Sequence, residues 1–258
     1  MDIKLLSQNK EKIVFLIKST DAVFVNTIRR IIIEEVPTLA IENVTITKNS
    51  SALYDEMIAH RLGLIPLKTD LKSYILPKDC KCKGENCPRC SLHITLKAKG
   101  PCIVYSGNLK THDPKIKPIY DKIPIVKLLK DQDFELEATA ILGQGKDHIK
   151  FSPGLTFYRG YPELKVTKES NTKKALEQCD DLILKNNQLE IKDILKWNEA
   201  CEEICEKNNI QVISSKEDFI FTIESWGQLN PLEIINQSSN LFEEKLDDFE
   251  KTLSKLKS

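Results

Sequence analysis

The fold is decided by residues 24–67, which read FVNTIRRIIIEEVPTLAIENVTITKNSSALYDEMIAHRLGLIPL. The first part of this stretch predicts a helix over residues 22–35, because apolar side chains recur at the spacing of one helix face and Pro37 then ends the pattern. The apolar residues of that face are Phe24, Ile28, Ile31 and Ile32. The AIENVTI run that follows predicts a strand.

Two arginines, Arg29 and Arg30, stand inside this apolar helix. Spacing alone leaves two interpretations equally open: ordinary solvated helix residues, or contacts to another protein. Their position amid the apolar residues and close to Asn26 favours contact with a partner. The stretch is therefore interpreted as an assembly surface and not as a catalytic site.

Runs of apolar residues predict several further elements. Residues 52–62 predict a second helix with Ser50 or Ser51 as its cap. Residues 3–6 and 12–18 predict two strands, whose unbroken apolar character indicates burial on both faces. Strict alternation predicts two strands of a small antiparallel sheet, with apolar faces formed by Leu92, Ile94, Leu96 and Ala98 and by Phe134, Leu136, Ala138, Ala140 and Leu142.

The end of the sequence predicts a long helix with an uncovered apolar seam. Asn230 followed by Pro231 and Glu233 is a strong helix start, and the helical pattern continues to about residue 256. The seam has spacings that mostly alternate between three and four, and consists of Leu232, Ile235, Ser239, Phe242, Leu246, Phe249, Leu253 and Leu256. Such a seam is expected to pack on its own domain or on another subunit.

Four cysteines form the best-defined candidate for a site: Cys80, Cys82, Cys87 and Cys90. Four thiolates surround one tetrahedral Zn²⁺ in structural sites, and a C-x-x-C turn presents two sulfurs to one ion. The surrounding loop has few apolar residues, so a metal ion would supply the order that packing cannot. A closed four-cysteine site leaves no position for water, so its predicted role is structural. The alternative is a set of free surface thiols or a labile disulfide pair.

The other cysteines carry weaker signals. Cys179, Cys201 and Cys205 offer one ligand fewer than a [4Fe–4S] cluster usually takes, so thiols packed in or near helices are predicted in place of a cluster. Cys102 is predicted to be a small core residue within a strand.

The net charge and the distribution of apolar residues narrow the class of protein. The chain has 258 residues, and its 38 basic and 38 acidic residues cancel, so no overall field draws it to nucleic acid or to an anionic membrane. No apolar stretch approaches the ~18 residues that span a bilayer. With no secretory signal pattern at its start, the protein is expected in the cytoplasm, or in the nucleus of a eukaryote. None of the common catalytic or nucleotide-binding motifs is present, and no catalytic residue is predicted.

The opening stretch resembles a family of RNA polymerase assembly subunits. The family includes the third-largest subunit of eukaryotic RNA polymerase II, its archaeal counterpart and, more distantly, the bacterial alpha N-terminal domain. The resemblance rests on FVNTIRR at 24–30, EVPTLAI at 35–41, DE at 55–56 and AHRLGLIPL at 59–67, and extends to FSPG at 151–154 and FTIESWGQ at 221–228. The length of the chain resembles that of the archaeal members more than that of the eukaryotic ones.

The resemblance implies an α+β fold with a discontinuous dimerisation domain, in which helices lie on an antiparallel sheet. That domain is expected to comprise residues 1–45, 151–168 and 216–258. A mainly β insert domain at residues 46–150 interrupts it. Residues 169–215 correspond to a ferredoxin-like insertion, which is predicted to be degenerate and free of a cluster because the ligand set is incomplete. In the cysteine loop, the gap between Cys82 and Cys87 is slightly longer than in the family.

The resemblance also implies the partners. The first and last helices are expected to form a four-helix interface with a smaller alpha-like subunit. Arg29 and Arg30 are expected to face the second-largest subunit, two small zinc-bearing subunits to dock on the same platform, and DNA to be reached only through the complex. The interface residues expected are Phe24, Asn26, Ile28, Arg29, Arg30, Ile31, Ile32, Ile235, Phe242, Leu246, Phe249 and Leu253.

The sequence thus predicts a non-catalytic assembly subunit of a multi-subunit DNA-directed RNA polymerase. A structural Zn²⁺ at the four-cysteine loop is the predicted cofactor. The competing interpretation is a free-standing zinc or iron–sulfur redox protein built on the two cysteine groups, and an independent enzyme comes third.

Overall fold

The structure is a computed structural model that describes residues 1–82, 85–167, 169–185 and 188–256. Lys83 and Gly84 of the predicted metal loop, Lys168, Asn186 and Asn187 of the predicted insertion, and the last two residues lie outside the described residues. The helices are α1 Ala22–Glu34, α2 Asp55–Gly63, α3 Thr172–Gln178, α4 Glu199–Lys207 and α5 Pro231–Leu256, with 3₁₀ turns at Pro77–Asp79, Ser106–Asn108 and Ile149–Phe151.

The strands form four sheets in the described part of the chain. Their bounds are β1 Asp2–Gln8, β2 Lys12–Lys18, β3 Thr38–Asn49, β4 Ser91–Lys99, β5 Cys102–Tyr105, β6 Lys110–Thr111, β7 Pro124–Leu128, β8 Asp133–Gly143, β9 Gly154–Val166, β10 Leu182–Lys185, β11 Gln188–Ile191 and β12 Ile210–Ser225. The four-stranded sheets have the orders β1-β2-β12-β9 and β3-β8-β4-β6, and the pairs β10-β11 and β5-β7 form two small sheets.

The chain divides into two compact units. The first comprises Met1–Gln8, Val14–Asn26 and Phe157–Thr222, and the second comprises Asn9–Ile13, Thr27–Thr156 and Ile223–Ser258. In the first unit, Phe15 stacks on Phe221 with ring centroids 5.2 Å apart. A separate small core in this unit lies around Trp197, α3 and α4.

The second unit has its main core under the β3-β8-β4-β6 sheet. Strand β8 pairs antiparallel with β3 on one side and with β4 on the other. The two predicted alternating faces both line this core, with Ala98 partly buried, which confirms the predicted sheet. Val44 and Ile46 of β3 pack against the same core. These antiparallel sheets together with the helices confirm the predicted α+β class.

Helix α1 confirms the first predicted helix. It ends at Glu34, and the Asp21 carboxylate accepts from the Phe24 N–H at 2.7 Å, so Asp21 provides the N-terminal cap. The predicted start of the second helix was wrong, because α2 begins at Asp55 and neither Ser50 nor Ser51 caps it. The Asn49 side chain instead holds residues 50–53 in a turn, accepting from Ser51 N–H at 3.0 Å and donating to Leu53 O at 2.8 Å.

Strand β1 differs from the prediction of burial on both faces. Ile3 and Leu5 are 58% and 53% exposed, whereas every residue from Ile13 to Ile17 of β2 is at most 8% exposed. The reason lies in the sheet order, which places β1 at an edge and β2 inside. Apolar composition does not distinguish these two positions.

Helix α5 has the predicted bounds and the predicted start. The Asn230 side chain accepts from Leu232 N–H at 3.1 Å, and Glu233 accepts from Asn230 N–H at 3.0 Å. Each side chain satisfies a backbone donor at the helix start. The buried residues of the helix are Pro231, Ile234 and Ser238, so its first turns pack on its own unit.

Candidate metal centre and partner surfaces

The cysteine loop is built from two short turns. The 3₁₀ turn Pro77–Asp79 precedes Cys80, whose N–H donates to Pro77 O at 3.3 Å. The C-x-x-C turn is closed by Cys90 N–H donating to Cys87 O at 2.9 Å, and β4 starts directly afterwards. The paired strand β4 thus fixes one end of the loop.

Two side-chain hydrogen bonds in series fix the other end of the loop. Lys78 Nζ donates to Gln144 Oε1 at 2.6 Å, and Gln144 Nε2 donates to Glu35 O at 2.9 Å. Gln144 is itself only 4% exposed. The loop is therefore anchored to the buried part of its unit on the side where Cys80 lies.

The structure brings all four predicted ligands together. The sulfur atoms of Cys80, Cys82, Cys87 and Cys90 all lie within 4.8 Å of one another. The shorter separations are 3.4 Å for Cys80–Cys82, 3.5 Å for Cys80–Cys87 and Cys82–Cys90, and 3.8 Å for Cys87–Cys90. A tetrahedron with Zn–S bonds of ~2.3 Å has edges of about 3.8 Å. The four sulfurs therefore fit the donor set of one tetrahedral metal ion.

Burial makes the Cys90 thiolate unfavourable without a cation. The pKa of Cys90 is raised to about 12, first by burial and then by its hydrogen-bonded neighbours Cys82 and Cys87. A metal ion reverses this balance, because its charge stabilises the thiolates that bind it. The donor set is soft and closed, which suits a structural metal ion and leaves no place for a substrate.

The second group of cysteines lies in the small core of the first unit. Cys179, Cys201 and Cys205 are all buried, at the end of α3 and within α4. The Sγ atoms of Cys179 and Cys201 are 2.8 Å apart. Burial is the first cause that raises the pKa of both Cys201 and Cys205 to about 11, so both thiols are neutral at pH 7. This is the placement expected of packed thiols, and whether they ever hold a cluster stays a prediction.

Cys102 is not the core residue that the sequence predicts. Its side chain is exposed, and its thiol lies 3.5 Å from Lys99 O. Strand β5 belongs to a two-stranded sheet, and only Val104 of its four residues is buried.

The arginine pair lies at the surface of α1. Arg30 forms a fork with the Glu34 carboxylate one turn later, with both N···O distances 3.2 Å. The hydrogen bond from Arg30 is the first cause that lowers the pKa of Glu34. Arg29 is half-buried. Of the other α1 residues predicted for the interface, Ile31 and Ile32 are buried, whereas Phe24, Asn26 and Ile28 are partly exposed.

The apolar seam of α5 is largely exposed. Its second half is the clearest part, with Leu246 51%, Phe249 64%, Leu253 43% and Leu256 79% exposed, while Ile235 and Phe242 are partly buried. Ile234 and Ser238, which lie outside the predicted seam, are the residues that attach the helix to its own unit. Further along, the Lys245 ammonium contacts the Glu35 carboxylate just after α1. The seam therefore remains available beside these contacts.

No helix among the described residues combines the length and the apolarity needed to cross a membrane.

Comparison with known proteins defines the class. Residues 41–153 match the model of the RNA polymerase Rpb3/RpoA insert domain. This range contains most of the β3-β8-β4-β6 sheet and the four-cysteine cluster. The chain thus carries the insert domain of an RNA polymerase subunit.

Full-length relatives define the family. The chain is 37% identical to DNA-directed RNA polymerase subunit Rpo3 of Methanosphaera stadtmanae, over 96% of this chain and 97% of that protein. It is 36% identical to the Rpo3 subunit of Methanothermobacter thermautotrophicus, over 96% of this chain and 97% of that protein. It is 35% identical to the Rpo3 subunit of Pyrococcus horikoshii, over 98% of both chains. The chain belongs to the Rpo3 family of DNA-directed RNA polymerase subunits.

Proposed function

We propose that this chain is the non-catalytic assembly platform of a multi-subunit RNA polymerase. It heterodimerises with the small alpha-like subunit and then docks the second-largest subunit and the two small zinc-bearing subunits. Phosphoryl transfer belongs to the large subunits, and DNA is reached only through the complex. The observation that carries the proposal is the exposed apolar seam of α5 in a member of a polymerase subunit family.

The seam supports heterodimer formation on physical grounds. Leu246, Phe249 and Leu253 present a continuous apolar strip to water at helix spacing. Covering such a strip gains about 25 cal/mol for each Å² of apolar surface removed from water. Contiguous exposed apolar surface of this kind marks a protein interface more often than a solvated face.

We propose the domain boundaries that the family resemblance implies. The dimerisation domain comprises residues 1–45, 151–168 and 216–258, the insert domain residues 46–150, and the degenerate ferredoxin-like insertion residues 169–215. Cys80, Cys82, Cys87 and Cys90 hold a structural Zn²⁺ in the insert domain, while Cys179, Cys201 and Cys205 hold no [4Fe–4S] cluster. The proposed location is the cytoplasm, or the nucleus in a eukaryote.

The arginine pair provides a test of the docking order. Truncating both residues, Arg29→Ala with Arg30→Ala, is expected to leave the heterodimer intact and to weaken capture of the second-largest subunit by tenfold or more. Arginine is enriched among interface residues whose truncation costs about 2 kcal/mol or more. Stepwise reconstitution on an affinity-tagged heterodimer measures both steps.

The matched control replaces an adjacent basic pair on another helix. Lys173 and Lys174 are both exposed on α3, so Lys173→Ala with Lys174→Ala changes net charge equally. This control should recruit the large subunit like the unmodified chain. Equal recruitment by the arginine variant would remove Arg29 and Arg30 from the interface.

Metal analysis separates the assembly platform from a free-standing redox protein. The purified chain is expected to contain about one zinc and to show no visible absorbance, because one closed four-cysteine set takes one ion. Elemental analysis and an absorbance spectrum check this. A bound, redox-active iron–sulfur chromophore would favour the redox interpretation, which the family membership does not support.

A further inference from the structure

A cleft in the second unit carries an unexpected concentration of positive charge. Its volume is about 620 Å³, and residues 68–72, residues 114–117 and the first turns of α5 line it. Four of the lining residues are lysines, Lys68, Lys72, Lys115 and Lys117, and all four are exposed. The whole chain has no net charge, so this local excess is a feature of the cleft.

Two of these lysines are held opposite each other by the backbone. The Lys68 N–H donates to Lys117 O at 2.9 Å, next to an antiparallel bridge between Leu67 and Pro118. Directly opposed like charges destabilise an antiparallel pair. A bound anion between the two ammonium groups would relieve that repulsion.

Among the described residues, the carboxylates of the cleft form no close ion pair with its lysines, although the charge of Lys115 is the smallest of the causes that lower the pKa of Asp70. Asp70 accepts from Lys72 N–H at 3.0 Å and from Ser73 Oγ at 2.8 Å, and the Ser73 bond is the first cause that lowers its pKa. Glu233 accepts from the Asn230 N–H at the start of α5. Within the described residues, no carboxylate lies within 4.0 Å of any of the four lysine ammonium groups.

The α5 wall supplies neutral hydrogen-bonding groups. Asn236, Gln237 and Asn240 line the cleft, and Asn236 and Asn240 are one turn apart. Each amide side chain offers two donors and an acceptor, which matches an extended peptide backbone. The partly exposed Leu71 and the exposed Pro114 provide an apolar floor, whereas Ile116 and Leu229 are buried, at 1% and 5% exposed.

The lining chemistry favours a peptide over a nucleic acid. Single-stranded nucleic acids are commonly bound by stacking bases on aromatic rings, and none of the lining residues is aromatic. Phosphate recognition favours the planar fork of arginine, and none of the lining residues is an arginine. Lysines beside amides and an apolar floor suit carboxylates on a segment that also carries an aliphatic side chain.

We propose that this cleft binds an acidic, extended segment of another protein. Its carboxylates contact Lys68 and Lys117, and its main chain contacts Asn236 and Asn240. An aliphatic side chain covers Leu71 and Pro114. The cleft is a second surface, because at ~100° per residue Asn240 lies about 180° around α5 from Phe249 and about 120° from Leu246. The proposal therefore does not depend on the heterodimer.

The test measures binding of a short fluorescent peptide containing Glu and Leu to the full-length chain by fluorescence polarisation. Charge reversal, Lys68→Glu with Lys117→Glu, is expected to weaken binding tenfold or more, and Lys72→Glu with Lys115→Glu to act in the same direction. Raising the salt should weaken binding to the unmodified chain, because screening shortens the reach of exposed charges. Circular dichroism verifies that each variant is folded.

The matched control reverses two lysines outside the cleft. Lys127 and Lys130 are exposed, join no ion pair among the described residues and do not line the cleft. Lys127→Glu with Lys130→Glu should therefore leave the affinity within about twofold of the unmodified chain, because charges away from a binding site are screened by solvent and salt. A peptide with Lys in place of Glu should not bind. Undiminished binding by both cleft variants, no peptide binding at low salt, or tighter binding of tripolyphosphate or a single-stranded oligonucleotide would overturn the proposal. If Leu246→Asp with Phe249→Asp loses the heterodimer but still binds the peptide, the cleft and the apolar seam are two distinct binding surfaces.

Discussion

Replacing Cys90 with serine is expected to abolish binding of the proposed structural Zn²⁺ and to lower the melting temperature by roughly 8–16 °C in zinc-containing buffer. This shift corresponds to free zinc at about a thousand times its dissociation constant, which stabilises the folded state by about 4 kcal/mol. For a chain of this size, each 1 kcal/mol changes the melting temperature by ~2–4 °C. The effect is large because Cys90 is fully buried and directly precedes the paired strand β4.

Cys102→Ser is the matched control for this experiment. Cys102 is exposed and belongs to no ligand group among the described residues, so its replacement should change neither the metal content nor the melting temperature. Elemental analysis and thermal unfolding with and without a chelator measure both quantities. The assignment of a structural metal would be wrong if Cys90→Ser retained a full equivalent of zinc. It would also be wrong if a chelator left the melting temperature of the unmodified chain unchanged.

The best-predicted elements are those with local chemical signals. The start of α5 follows from Asn230, Pro231 and Glu233, and the capping bonds of Asn230 and Glu233 are present in the structure. The four-cysteine cluster follows from short spacing along the chain, because residues so close together in a loop can meet without help from the rest of the fold. The predicted function, a subunit of DNA-directed RNA polymerase, is confirmed by the full-length relatives.

Features that depend on distant parts of the chain were less predictable. Ile3 and Leu5 were predicted to be buried, yet β1 lies at a sheet edge that only the strand order reveals. Cys102 was predicted to lie in the core, and this prediction was wrong for a similar reason, because its strand β5 pairs with only one other strand. Ser51 is a good cap by residue type, but its hydroxyl is engaged in the turn before α2, where it donates to Asn49 Oδ1 at 2.6 Å and accepts from Leu53 N–H at 3.3 Å.

The lysine-lined cleft shows the same limit for a site. Lys68 and Lys117 are 49 positions apart in the sequence and meet through one backbone pair. No local pattern joins them, and a chain with no net charge gives no reason to look for a basic surface. Hydrophobic periodicity cannot predict the isolated bridge between Leu67 and Pro118, because the bridge involves a single residue from each of two loops.

The seam of α5 supports the second large prediction. Introducing charge with Phe242→Asp and Leu246→Asp is expected to abolish co-purification with the proposed partner, the small alpha-like subunit. Each carboxylate would have to be buried without a partner in an apolar interface, which costs several kcal/mol per group. A hundredfold loss of affinity corresponds to ~2.8 kcal/mol. The combined cost of burying the two carboxylates exceeds this value, so the affinity should fall by more than a hundredfold. Co-expression with an affinity tag on the partner measures the outcome.

Two further variants distinguish the interface from folding of the chain itself. Leu246→Asp with Phe249→Asp changes only side chains that are at least half exposed, so the free chain should keep its stability while losing its partner. Lys251→Asp alters the net charge as much as that pair does, but on the opposite face of the helix, where 100° per residue turns it away from the seam, and should leave the heterodimer unchanged. Normal heterodimer formation by both seam variants would show that the apolar strip is not the interface. Loss of the partner in the opposite-face control would instead point to the charge of the helix as a whole, because that variant leaves every apolar residue of the seam in place.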